Sequence, residues 1–247
     1  QVLLTYGGED MLKNAIHYFL SVNSQTGAPN TKILIPEFSW WYYNRVASEC
    51  GGTFEMYPLH EKEDTFAYDI DEVIEYTNRV HPRMLLLASP NNPTGNGLTP
   101  EEIGRIMENI PSDTMVLIDE AYASFISTDT AYIAPLVNKY SNLIISRTLS
   151  KFYGLPGLRV GFGIGSKEII EDLNKLKYSF NPYNLNTLSI KAAAAAIADN
   201  EYYNANIAKI IENRKTTTAQ LKALGFECTD SMANFIFASH NRIPAAK

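Results

Sequence analysis

Met84-Leu85-Leu86-Leu87-Ala88, followed by Ser89-Pro90-Asn91-Asn92-Pro93-Thr94-Gly95, is the stretch on which the reading of this chain turns. Five apolar residues with no polar alternation describe a strand buried on both faces, and the run punctuated by proline and glycine describes a turn at its exit. The same pattern recurs downstream, where an apolar run over 115–118 leads into Asp119-Glu120-Ala121-Tyr122, and one over 143–146 leads into Thr148-Leu149-Ser150-Lys151. Further strand-like runs cover 33–35, 53–57 and 159–164. Helical patterns over 9–20, 40–49, 70–79, 100–109, 167–178, 187–198 and 202–224 alternate with them. Thr99-Pro100-Glu101-Glu102 marks one helix start, with a cap residue, proline in the first turn and acids at the positive dipole end. The alternation predicts an α/β fold on a largely parallel sheet, with the ligand site beyond the carboxyl ends of the strands.

Composition narrows the function classes. With 247 residues, 45% apolar and 19% charged, the chain can bury a full core and carries no disordered, highly charged block. Acidic residues outnumber basic ones, 27 to 21, without a Lys/Arg cluster, which argues against nucleic-acid binding. Cys50 and Cys228 stand far apart and the four histidines are scattered, so neither a disulfide framework nor a metal site is expected. No apolar run approaches the roughly 20 residues of a membrane span, and no signal peptide opens the sequence. A cytoplasmic protein that contacts neither membrane nor nucleic acid is the expectation. The chain opens on Gln1, not Met, and stops eight residues after a strand-like run over 234–239, so it reads as a fragment.

Three successive strand exits thus offer an amide, a carboxylate with a phenol, and hydroxyls with an amine. Singly, these are an ordinary turn, a solvated acidic loop and a surface lysine. Together, at the end of the sheet where α/β folds bind ligands, they describe a reaction site. Gly161-Phe162-Gly163-Ile164-Gly165 does not compete with this reading: it lacks the spacing of a dinucleotide loop and lies inside a strand pattern, where glycines signal close backbone packing.

The stretches SPNNPTG (89–95), IDEAY (118–122) and RTLSKFYGLPGLRVGFG (147–163) resemble, in order and spacing, the signature of fold-type I pyridoxal-phosphate (PLP) aminotransferases, class I/II. Within that group IDEAYASF (118–125), NPYNLNTLS (181–189) and SMANF (231–235) are most similar to the histidinol-phosphate aminotransferase branch. KFYGLPGLR (151–159) also resembles threonine-phosphate decarboxylases, which share the scaffold. The resemblance implies a three-layer α/β/α large domain over 1–200, then a linking helix and the beginning of a small α+β C-terminal domain over 201–247. It implies amino transfer between an amino acid or amino phosphate and a 2-oxo acid, a homodimer, and PLP as cofactor. Decarboxylation of a phosphorylated amino acid, or cofactor binding without catalysis, is the alternative.

Residue by residue, the resemblance makes Lys151 the amine that bonds the cofactor and moves the substrate proton. Asp119 becomes the carboxylate that keeps the pyridine nitrogen protonated, and Asn92 and Tyr122 the hydrogen-bond partners of the ring oxygen. The phosphate falls to the Gly8 and Glu9 amides at a helix start, the Thr148 and Ser150 hydroxyls and the Arg159 guanidinium. The side chains of Glu9 and Asp10 are expected to point away from it. Phe38 is the expected aromatic plate, and one of Trp40, Trp41, Tyr42 and Tyr43 is expected in the substrate pocket. The family's substrate-carboxylate arginine lies further beyond the SMANF motif than Arg242, which does not take that role. The chain therefore reads as a cofactor-binding large domain that need not turn over by itself.

Overall fold

The computed structural model describes residues 1–21, 31–62, 65–126 and 132–245. In chain order it contains β1 (Val2–Thr5), α1 (Gly8–Leu20), β2 (Lys32–Pro36), α2 (Tyr42–Glu49), β3 (Thr53–Tyr57), β4 (His60–Lys62), β5 (Thr65–Ala67), α3 (Ile70–Val80) and β6 (Met84–Ala88). There follow α4 (Pro100–Asn109), β7 (Met115–Asp119), β8 (Leu143–Thr148), β9 (Gly161–Gly165), α5 (Lys167–Phe180), α6 (Thr187–Ala198), α7 (Asn200–Ala223), β10 (Glu227–Cys228) and β11 (Ala238–Ser239). Seven strands form one sheet in the order β1-β9-β8-β7-β6-β2-β3. All neighbours pair in parallel except β9, which runs antiparallel to both β8 and β1.

Side-chain alternation on the central strands builds the three layers. Met84, Leu86, Met115, Leu117 and Ile144 face one core with Met11, Ile16, Val46 and Leu173 from α1, α2 and α5. Leu85, Leu87, Val116, Ile118 and Ile145 face the other, with Val73, Ile103 and Ile106 from α3 and α4. Burial on both faces is the reason these strands read as unbroken apolar runs. The start of α4 is fixed as expected: the Thr99 hydroxyl accepts the Glu102 amide at 3.2 Å while the Glu102 carboxylate accepts the Thr99 amide at 2.8 Å. The strand expected over 234–239 is shorter, because only Ala238 and Ser239 pair with β10.

Two contacts tie the strand ends together. β9 begins where α1 begins, and a Cβ placed on Gly161 would overlap the Gly7 carbonyl carbon and the Gly8 nitrogen. A Cβ on Gly163 would overlap Met11 in the same way. Gly161 thus serves close backbone packing, as the sequence pattern implied, while Gly163 makes room for the Met11 side chain. One residue past the Asp119–Ser146 pairing, Arg147 Nε donates to Glu120 Oε2 at 2.6 Å. The Glu120 side chain is fully buried and that of Arg147 is 17% exposed, so the ion pair crosses two adjacent strands in near-dry surroundings.

Gly161→Ala is expected to cost at least about 2 kcal/mol in urea unfolding, because backbone cannot give way to the new methyl; a loss under about 0.5 kcal/mol would contradict this packing. Arg147→Met strands the Glu120 carboxylate and is expected to cost about 3 kcal/mol near neutral pH. Burial already pushes the Glu120 pKa above 4.5, and the Arg147 charge holds that rise back. Without the arginine the folded state binds the proton more tightly than the unfolded chain, so stability should fall as the pH rises from about 4.5 through neutrality. A variant whose stability is flat or rises over that range would show that Glu120 is not held by this pair.

Candidate active site

The exits of β6, β7 and β8 and the start of α1 enclose a cavity of about 260 Å³ at the carboxyl edge of the sheet. Gly8 and Glu9 line it from the first turn of α1, and Asn92 from the turn after β6. Asp119 and Tyr122 come from the end of β7, Thr148, Ser150 and Lys151 from the end of β8, and Arg159 from the approach to β9. Of the residues given a catalytic or cofactor-binding role from the sequence, all but Phe38 line this cavity.

Asp119 closes one end. It is 7% exposed, its Oδ1 accepts the Ala121 amide at 3.0 Å, and its Oδ2 accepts the Tyr43 hydroxyl at 2.8 Å. Burial pushes its pKa above the ordinary carboxylate value, while the Tyr43 hydroxyl, the Ala121 amide and the Lys151 charge hold the rise back. Lys151 extends from the β8 exit with Nζ 5.5 Å from the centroid of the Tyr122 ring. Tyr122 also packs perpendicular to Phe235, centroids 5.1 Å apart.

An anion cradle forms the other end. The first-turn amides of α1 have no acceptor within the helix and carry the positive end of its dipole. Thr148 Oγ1 lies 2.9 Å from Ser150 Oγ. Arg159 adopts a left-handed backbone, φ 52°, between a short 3-10 turn and β9, and its guanidinium returns toward Gly7. A Cβ on Gly7 would sit 2.6 Å from Arg159 Nη2, so only glycine leaves the guanidinium room.

Two expectations need correction here. Asp10 does turn away, accepting the Tyr6 amide at 2.9 Å and Asn184 Nδ2 at 3.1 Å. Glu9 does not: its Oε2 lies 3.5 Å from Arg159 Nη2, the attraction of opposite charges turning it toward the cradle. Phe38, expected as the aromatic plate, is 60% exposed and packs against Phe66. It sits in a left-handed backbone conformation, φ 50°, in the turn after β2. Trp40 and Tyr43 line the cavity in its place, two residues from a cluster in which one was expected, while Trp41 is 65% exposed.

Sequence reasoning also missed Ser146 and Arg147, which line the cavity from within β8. A strand buried on both faces signals packing, and nothing local shows that its last residues face a site. The turn that carries Asn92 is gripped from far along the chain, by the Met232 amide on the Gly95 carbonyl at 2.8 Å and the Thr229 hydroxyl on the Thr94 carbonyl at 3.1 Å.

The donor set fits PLP. An anion site of amides, hydroxyls and a guanidinium suits the phosphate, a buried carboxylate suits the ring nitrogen, and a primary amine between them suits the aldehyde carbon.

Comparison with known proteins gives the same direction. The family model described as "Aminotransferase class I and II" matches residues 14–245. The chain is 39% identical over 212 residues to the histidinol-phosphate aminotransferase of Brachyspira hyodysenteriae, covering 86% of this chain and 57% of that protein. It is 38% identical over 240 residues to the histidinol-phosphate aminotransferase of Gluconacetobacter diazotrophicus, covering 97% and 62%. The crystal structure of histidinol-phosphate aminotransferase from Sinorhizobium meliloti in complex with pyridoxal-5'-phosphate superposes with a TM-score of 0.85 at 21% identity, covering 98% of this chain and 62% of that one; this likeness is one of fold. The chain thus spans about three fifths of the length of these relatives. By the match over almost its whole length, the chain belongs to the class I and II aminotransferase family.

Proposed function

We propose that this protein is a PLP-dependent aminotransferase that moves an amino group between a histidinol-phosphate-like amine or amino acid and 2-oxoglutarate, in two half-reactions that share one site. The observation that carries this reading is the placement of Lys151 and the buried Asp119 on adjacent strand exits, facing one cavity with an anion cradle at its far end. The names of the relatives support the amine class. When bound, PLP supplies an electron-accepting ring that acidifies the substrate Cα–H.

The residues of the chain do the rest. Lys151 would hold the cofactor covalently until substrate displaces it, and its amine would then take the Cα proton and return it. Asp119 would hold the proton on the ring nitrogen. Asn92 and Tyr122 would hydrogen-bond the ring oxygen and fix the ring's tilt, and Trp40 would cover one face of it. The Gly8 and Glu9 amides, Thr148, Ser150 and Arg159 would bind the phosphate; Glu9 would have to yield the guanidinium, since two anions compete for it. Residues 1–200 would form the cofactor-binding domain, with 201–247 as the linking helix and the start of a small domain, in a homodimer. Among the described residues no helix is long and apolar enough to cross a membrane, and a cytoplasmic site of action accords with amino-acid metabolism.

Borohydride reduction of the protein incubated with PLP should leave a pyridoxyl group on Lys151 in the peptide map, and none in Lys151→Ala. Absence of the adduct in folded protein would overturn the cofactor assignment. Glutamate or histidinol phosphate should then change the absorption spectrum of the loaded protein, whereas carbon dioxide release from a phosphorylated amino acid would point to the decarboxylase. Arg159→Leu should weaken PLP binding at least about tenfold and leave the binding of phosphate-free pyridoxal unchanged; equal losses for both would remove Arg159 from the cradle.

A further inference from the structure

Tyr43 lies in the first turn of α2 and is 2% exposed, its ring edge-on to that of Trp40 with centroids 5.7 Å apart. Its position in the core would suit phenylalanine equally well, and a buried hydroxyl is costly unless it is used. Three tyrosines are buried among the described residues. Two of them, Tyr57 and Tyr68, spend their hydroxyls on backbone carbonyls, Leu86 O at 2.9 Å and Ala88 O at 2.8 Å. The Tyr43 hydroxyl alone among these is aimed at a carboxylate, Asp119 Oδ2 at 2.8 Å.

The surroundings of Asp119 make this bond consequential. Glu120 lies beside it in sequence and is engaged by Arg147. Tyr68, between β5 and α3, is near enough to feel the Asp119 charge, but its hydroxyl is committed to the Ala88 carbonyl, and Tyr122 follows Asp119 on the same strand exit. Lys151 contributes its charge from the β8 exit but makes no hydrogen bond to the carboxylate. The direct donors to Asp119 are therefore the Ala121 amide, on one oxygen, and the Tyr43 hydroxyl, on the other. Burial pushes the Tyr43 phenol well above its ordinary pKa, with the Asp119 charge adding to the rise, so it stays a donor throughout the working pH range.

We propose that Tyr43 is a positioning residue: its hydroxyl keeps Asp119 ionised and fixes the rotation of the carboxylate, so that this group meets the ring nitrogen as an oriented anion. The second half of this statement rests on the PLP reading; the first does not. The Ala121 amide anchors Oδ1, and with the phenol on Oδ2 the carboxylate plane is pinned at both ends. Without the phenol, one oxygen is desolvated and unpaired, and protonation becomes the way to relieve it.

The test separates the two halves. In cofactor-free protein, 13C NMR of the Asp119 carboxyl should show its pKa rising by about one unit or more in Tyr43→Phe, a tenfold change in proton affinity. Incorporating 3,5-difluorotyrosine at position 43 removes no atom from the core, and its more acidic hydroxyl should move the Asp119 titration down. The opposite signs exclude a general loss of packing and keep the test decisive if Tyr43→Phe folds poorly. PLP affinity should drop about tenfold in Tyr43→Phe, and this drop should vanish in the Asp119→Asn background. An Asp119 titration unmoved by either replacement would overturn the proposal, as would an equal drop in both backgrounds. If borohydride traps no cofactor on wild-type Lys151, the PLP reading fails and orientation toward the ring falls with it, while the carboxyl titration still decides whether Tyr43 holds Asp119 ionised.

Discussion

In-register parallel pairing of β6, β7 and β8 is the constraint on which the rest of the molecule depends. Ala88 pairs with Asp119 and Asp119 with Ser146, so β6 and β7 end level with each other and β8 ends two residues further on, at Thr148. Strands about 4.8 Å apart then present their next residues side by side. This is how an amide from residue 92, a carboxylate from 119 and an amine from 151, distant along the chain, come to share a cavity of small-molecule size. A slip of one residue in any of these pairings would send Asp119 to the opposite face and into an apolar core.

Such a site concentrates polar groups where the sheet is driest, and the structure meets that demand with specific partners. Asp119 and Glu120 are consecutive buried acids pointing to opposite faces of their strand. Glu120 is held by Arg147, and Asp119 by a phenol and a backbone amide. The arrangement leaves one acid structural and the other open to the cavity. At the far end the chemistry is reversed, with amides, hydroxyls and a guanidinium and a single carboxylate, Glu9, resting on Arg159. An amine between an anion site and a buried anion is the arrangement that a phosphorylated, basic-ring cofactor requires.

The elements legible in the sequence were those with a local cause. Strands buried on both faces spell themselves as apolar runs, as at 84–88 and 115–119, and α4 is announced by its own capping box. β1 and the β4–β5 hairpin are not among the strands read from the sequence, since edge and three-residue strands half exposed to solvent carry little periodicity. The candidate site was legible as far as motifs mark it: residues at strand exits carry turn chemistry in an otherwise apolar context. Ser146, written inside a strand pattern, was not marked in this way; Arg147 opened a motif without being given a role, and Tyr43 was one of four aromatic candidates.

The sequence by itself determined the layered α/β fold and the strand exits where chemistry collects, because periodicity, capping and turn residues act over a few residues and are written there, while the family was legible through the resemblance of its motifs. Only the tertiary structure decided which aromatic residue faces the cavity, which acid is neutralised by an arginine, and that Glu9 rests on Arg159. Each of these depends on a distance between segments far apart in the chain: 150 residues from Glu9 to Arg159 and 76 from Tyr43 to Asp119. Such a distance is set by sheet register and by the positive φ at Phe38 and Arg159, and no local pattern specifies either.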